Sequence, residues 1–188
     1  MKAKRTYNPE TVGALCSQCP LNGVAYPCPP QTRPGYTSML VGDVPSRQEE
    51  VAGTPFRGVA GLMLSKLMVA AGWGRNWQSK VHLTYAVLCR PNIFKGSWKD
   101  YDAWLRLQNR KELKAAKAEK RLPELKLSPL ECCKPRLLKE LEQARQNAKQ
   151  QNLNAVAVPL GPSAAALQAL TGHGSYMRYR GSALPGEK

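Results

Sequence analysis

An α/β fold with a short, mainly parallel sheet is what this sequence predicts, and three observations predict it. Three short apolar runs, "TSMLVG", "VHLTYAVL" and "NAVAVPLG", alternate with segments of helical period. A hydrophobic content of 43% over 188 residues suits one domain with one core. Chemistry-bearing residues fall just after the runs: Asp43 after the first, Cys89 after the second, Leu160-Gly161 at the third. In open α/β sheets, ligands bind at the carboxyl ends of strands.

The elements follow in order. Residues 1 to 37 are rich in Pro and Gly, without a sustained period, and read as turns and loop. "TSMLVG" is a short buried strand. Residues 43 to 57 read as loop. In "VAGLMLSKLMVAAGW" apolar residues recur at three-and-four spacing, which predicts a helix over 58–71 with Gly72 at C′. Val81 to Leu88 is the second strand. "DYDAWLRLQNRKELKAAKAEKR" suits a solvated helix. "SPLE" is a capping box, with Ser128 as N-cap, Pro129 at N1 and Glu131 at N3. Its helix runs to about Lys149, with a bend expected at Pro135. "NAVAVPLG" is the third strand, and "PSAAALQALTG" a short helix ended by Gly172. The tail "SYMRYRGSALPGEK" is basic and loop-like.

The formal charge is +15, from 28 Lys and Arg against 13 Asp and Glu. An excess of this size predicts an anionic partner, nucleic acid first and an anionic membrane second. Nearly half lies between Lys95 and Lys149, where 15 basic residues face 8 acidic ones, a net of +7. That stretch reads equally as a solvated face and as a DNA contact. The N-terminus lacks the apolar core of a secretory signal, and no apolar run is long enough to span a bilayer. An intracellular, cytoplasmic location is expected.

In a reducing compartment, six cysteines point to metal ligation rather than disulfides. Cys16-x-x-Cys19 is a short chelating pair. Cys89 closes a strand in "CRP", and Cys132 and Cys133 open a helix in "ECCKP". The pair, Cys89 and one of the last two make a four-thiolate set that suits zinc or an iron–sulfur cluster. Cys28 is spare, either a buried thiol or a redundant ligand.

The motif order is more specific. "CSQCPL", "VGDVPSRQEEVAGTPFRGVAG", "HLTYAVLCRP", "CCKPRLL" and "VPLGPSAAAL" together resemble the uracil-DNA glycosylases, in their iron–sulfur family 4 type. The resemblance runs from Cys16 to about Gly181. It implies a three-layer α/β/α fold, one domain over 1–188, and a [4Fe–4S] cluster on Cys16, Cys19, Cys89 and Cys133, which tips the metal from zinc to iron–sulfur. Cys133 is preferred to Cys132 by the C-x-P-x-L register. Excision of a deaminated base from DNA is the activity implied. Asp43 falls on the family's motif-one acid and Phe56 on its base-stacking aromatic. Gly42, Pro45 and Gly53 would shape the loop at the DNA backbone. Asp43 taken alone would read as a loop-capping Asx-turn residue.

The chain departs from that pattern in four places. Tyr85 stands where the family places a uracil-reading Asn. No "HPS" motif occurs; His82 lies in a strand, and His173 falls too early. The sequence stops near where the last strand would begin, so the sheet is expected to be incomplete as written. Residues 92–127 form a basic insertion in place of a shorter Pro-rich link. Similar domains occur beside phage-type DNA polymerases, so the partners implied are DNA and a polymerase or other polypeptide that completes the domain.

Overall fold

The computed structural model describes residues 7–91 and 98–160. Three parallel strands form its sheet: β1 (Ser38–Gly42), β2 (His82–Tyr85) and β3 (Val156–Pro159). Their order is β2-β1-β3, with Met39 opposite His82 and Ala157, and Gly42 opposite Tyr85. The α/β class with a short parallel sheet is therefore observed. The helix expected near 162–171 and the basic tail lie outside the described residues.

Side chains alternate across the central strand, as a pleated strand requires. Leu40 shares one core with Leu83, Tyr85, Phe56 and Trp77. Leu64 and Met68 of α2 (Val59–Ala70) pack against it. Met39 and Val41 face the other way, into a second core. Leu137 and Ala144 of α4 (Pro129–Gln150) fill that one, with Tyr36 and Ala86. Helices thus cover both faces.

The caps explain where helices begin and end. Ser128 and Glu131 form the expected reciprocal box, with Glu131 N–H donating to Ser128 Oγ at 3.1 Å and Ser128 N–H to Glu131 Oε2 at 2.7 Å. The helix runs through Pro135 to Gln150. α2 ends in a Schellman motif, in which Gly72 N–H donates to the Val69 carbonyl and Trp73 N–H to the Met68 carbonyl. Asn109 and its neighbours lie on α3 (Trp98–Ala118), the helix expected in the basic segment.

Two expectations need correction. Residues 43–57 are not all loop: Arg47–Ala52 form a short helix, α1. Its box, Ser46 with Glu49, is the same S-x-x-E signal that marks α4. The second strand is also shorter than Val81–Leu88. Past Tyr85 two bonds to the first strand's exit persist, from Ala86 N–H to the Gly42 carbonyl and from Val87 N–H to the Asp43 carbonyl, while the buried Arg136 guanidinium takes the Tyr85 and Ala86 carbonyls, at 2.5 and 3.2 Å. Among the described residues, no helix is long and apolar enough to cross a membrane.

Candidate active site and cysteine cavity

The motif residues gather at the carboxyl end of the sheet. Gly42 closes β1. Asp43 follows, partly buried, its carbonyl accepting from Val87 N–H at 3.0 Å. Buried Pro45 then leads into α1. Phe56 is buried and adopts a positive φ of 55°, uncommon for a bulky residue and sustained only where neighbours enforce it. They do so here. Its N–H donates to the Tyr85 hydroxyl at 3.0 Å. Its carbonyl lies against the first turn of α2, where a Cβ on Gly61 would come within 1.8 Å of the oxygen. Only glycine lets the two segments approach so closely.

Tyr85 covers one face of the Phe56 ring. The centroids are 5.1 Å apart and the planes 28° from parallel. Gly42 makes room for the pair, since a Cβ there would meet the Tyr85 ring at 2.6 Å. Burial pushes the Tyr85 phenol far above its ordinary pKa, so it remains a protonated donor. Glu49 completes the arrangement. Its carboxylate accepts from Ser46 N–H at 2.6 Å and Gly58 N–H at 3.1 Å. Burial opposes its ionisation. Hydrogen bonds from Ser46, the Gly58 N–H and the Tyr85 hydroxyl outweigh that and hold the carboxyl below its ordinary pKa. Glu49 was not singled out in the sequence; the Ser46-x-x-Glu49 box was the available signal.

Behind the strand lies a buried charge network. Arg136 is fully buried and donates to Thr84 Oγ1 at 2.8 Å and to Glu140 Oε1 at 2.7 Å. Glu140 Oε2 is 3.1 Å from His82 Nε2, and His82 stacks on Tyr36 with centroids 4.3 Å apart. Nothing local marks Arg136 as buried; it sits one turn before Glu140 on a helix rich in charged residues.

The cysteines gather elsewhere on the same strand's exit. Cys16 lies in a 3-10 turn that Cys19 ends, its N–H donating to the Cys16 carbonyl. Leu15 N–H donates to the Cys132 carbonyl at 2.8 Å, tying this loop to α4. Cys89 pairs as an isolated bridge with Pro27. Cys16, Cys19, Cys89, Cys132 and Cys133 all line one cavity of about 340 Å³. Burial and the neighbouring thiols raise Cys16, to about 11, and Cys89 and Cys133 as well. A hydrogen bond from Cys132 lowers Cys19 to about 7. Cys28 is absent from the cavity. It is fully buried in the core with Leu40 and Trp77, the buried-thiol alternative of the two expected. Among the described residues, no three His, Cys, Asp or Glu side chains converge on a point where a single ion would sit.

Sheet, helical layers and a motif loop at the strands' carboxyl end define an α/β protein with its loop where open sheets of this class bind ligands. The family model of the uracil DNA glycosylase superfamily matches residues 29–183. That is most of the chain, and the chain belongs to this superfamily. The fold implies DNA as its substrate.

Proposed function

We propose that the chain is a uracil-DNA glycosylase-like iron–sulfur protein that binds DNA and removes uracil or another deaminated base by hydrolysis. The observation that carries this is the placement of Gly42-Asp43 at the mouth of β1, beside the Phe56 ring, within the span that the superfamily matches.

The base leaves the stack and docks at the motif loop. The glycosidic bond breaks with its electron pair on the departing base, which takes a proton. Water adds to the sugar carbon left electron-poor. The Asp43 carboxylate stabilises the positive charge on that sugar or orients the water. Phe56 stacks on the base, Tyr85 backs Phe56, and Gly42 and Pro45 shape the loop that meets the DNA backbone.

Cys16, Cys19, Cys89 and Cys133 would hold a [4Fe–4S] cluster, whose contribution is structural. It would clamp the N-terminal loop to α4 and to the exit of β2. All four thiols line one cavity. Four thiolates suit zinc or an iron–sulfur cluster alike, and the motif order tips the reading to the cluster. A polymerase or another polypeptide is a further partner on this reading.

The test is incubation with a uracil-containing oligonucleotide followed by alkali. Cleavage at the abasic site is expected, with Asp43→Asn reduced by about 10² or more. Cleavage no higher in the wild type than in Asp43→Asn sinks the proposal. One observation favours a second reading, a non-catalytic DNA-binding or assembly module. Tyr85, at the position of the base-reading Asn, is buried and bonded to Phe56 rather than open to a base. Salt-sensitive binding that Asp43→Asn leaves unchanged, without cleavage, would support that reading.

A further inference from the structure

α3 and the segment after it form a self-contained unit. Residues 103–127 carry eight Lys and Arg against three Asp and Glu. All three acidic residues are engaged in holding the unit together. Glu112 accepts from both Arg121 terminal nitrogens, at 2.6 and 3.2 Å, and from Glu124 N–H at 2.9 Å. Glu119 accepts from Arg121 Nε at 2.6 Å. Glu124 thus contributes its backbone to the clasp. Asn109 closes the return segment with a reciprocal pair to Lys126, at 2.8 and 3.0 Å. Leu105, Asn109, Glu112 and Ala116 recur at spacings of four, three and four, so one face of the helix binds the strap; Leu105 and Ala116 are buried on it.

A second face follows the same spacing. Arg110, Lys114 and Lys117 are exposed on it. With Leu113, Arg121 and Pro123 they line an open groove of about 440 Å³. The carboxylates of Glu112 and Glu119 are turned to Arg121 in the strap. Arg121 is neutralised by Glu112 and Glu119; the other three cations are not so held. They span about 10 Å along the helix axis, the scale of a few phosphates on one strand.

We infer that the Arg110–Lys114–Lys117 face of α3 is a second nucleic-acid contact, which binds the sugar-phosphate backbone of DNA apart from the glycosylase motif loop. It rests on DNA as the superfamily's substrate and not on excision. Charge complementarity commits the surface to a polyanion. The Glu112 and Glu119 carboxylates are spent on Arg121, which leaves the other cations of this segment facing few free acids.

The test is a salt series on the full chain with a uracil-free duplex, read by fluorescence anisotropy. Each phosphate contact contributes about 0.9 to the slope of log K against log salt. Replacing all three cations, Arg110→Ala with Lys114→Ala and Lys117→Ala, is expected to lower that slope by about 2 to 3. The exposed positions leave the unfolding temperature unchanged, and Arg110→Lys keeps the wild-type slope. If the triple variant fails to fold, each single variant still lowers the slope by about 0.9. An unchanged slope overturns the inference and leaves the row as a solvated or protein-facing surface. Because the duplex contains no uracil, an inactive glycosylase site does not affect the readout. Conversely, loss of excision with an intact slope would remove the glycosylase reading and leave this one standing.

Discussion

The exit of β2 serves two regions built on opposite plans. At Tyr85 the chain meets the motif loop, and that region is closed by its own side chains. Phenol, phenyl ring and carboxylate stack on or bond to one another, and glycine at 42 and 61 lets the backbone come close. Four residues on, at Cys89, the chain enters a region that its side chains do not fill. Five thiols line a cavity there. The first region specifies its shape by internal contacts. The second joins its loop, strand exit and helix around Leu21, Val87 and Cys133, and on the proposed reading a cluster held by the thiols completes it. Arg136 joins the two, since it is anchored on α4 three residues after Cys133 and grips the Tyr85 carbonyl.

The largest expected effect tests that dependence. Cys89→Ser removes one of the four proposed ligands. We expect loss of the visible absorbance of thiolate-bound iron from the purified protein, together with a clear fall in unfolding temperature, because binding at such a site is coupled to folding. Cys28→Ser, in the packed core, is expected to leave the absorbance intact. A colourless wild type that contains zinc by elemental analysis would reverse the assignment of the metal. Equal loss from both substitutions would erase the distinction between ligand and core thiol.

A smaller effect is expected at the self-closed region. Tyr85→Phe keeps the ring against Phe56 and removes the hydroxyl that accepts from Phe56 N–H. It leaves a buried donor unsatisfied, so a loss of about 1–3 kcal/mol is expected in denaturant unfolding. The iron absorbance should not change. Stability equal to wild type would mean that Tyr85 only fills space and that the positive φ of Phe56 is held by α2 alone.

The strands, α2, α3 and α4 were legible because each is written locally, as an apolar period, a capping box or a Gly-ended helix. Clustering of the cysteines was legible from their number and placement. The superfamily was legible from motif order. What escaped was non-local. Tyr85 meets Phe56 across 29 residues and Arg136 meets Thr84 across 52, and no spacing rule reports such pairs. α1 escaped for a different reason. Its Ser46-x-x-Glu49 signal is plain, but the helix is six residues long and flanked by prolines and glycines, which favoured reading turns.

The smallest effect concerns pH and separates the acids of the two regions. Glu49 is ionised below its ordinary pKa because its hydrogen bonds outweigh burial. Its stabilisation is therefore full above the unfolded value, about 4.5, and is lost as pH falls through the lower folded value. Glu140 behaves alike. Burial opposes its charge, and Arg136 and His82 more than restore it. Acidification should thus unfold the protein through both groups. Glu49→Gln keeps the shape and an accepting oxygen at the α1 cap while removing the charge. We expect it to cost about 1 kcal/mol at neutral pH, and to lose only the Glu49 share of the acid dependence. Unfolding temperatures of wild type and variant, followed from neutral pH to below pH 4.5, should converge as the acid form of Glu49 fills. A gap that stays constant with pH would show that Glu49 acts through shape alone. The charge holding the motif loop would then have to come from elsewhere.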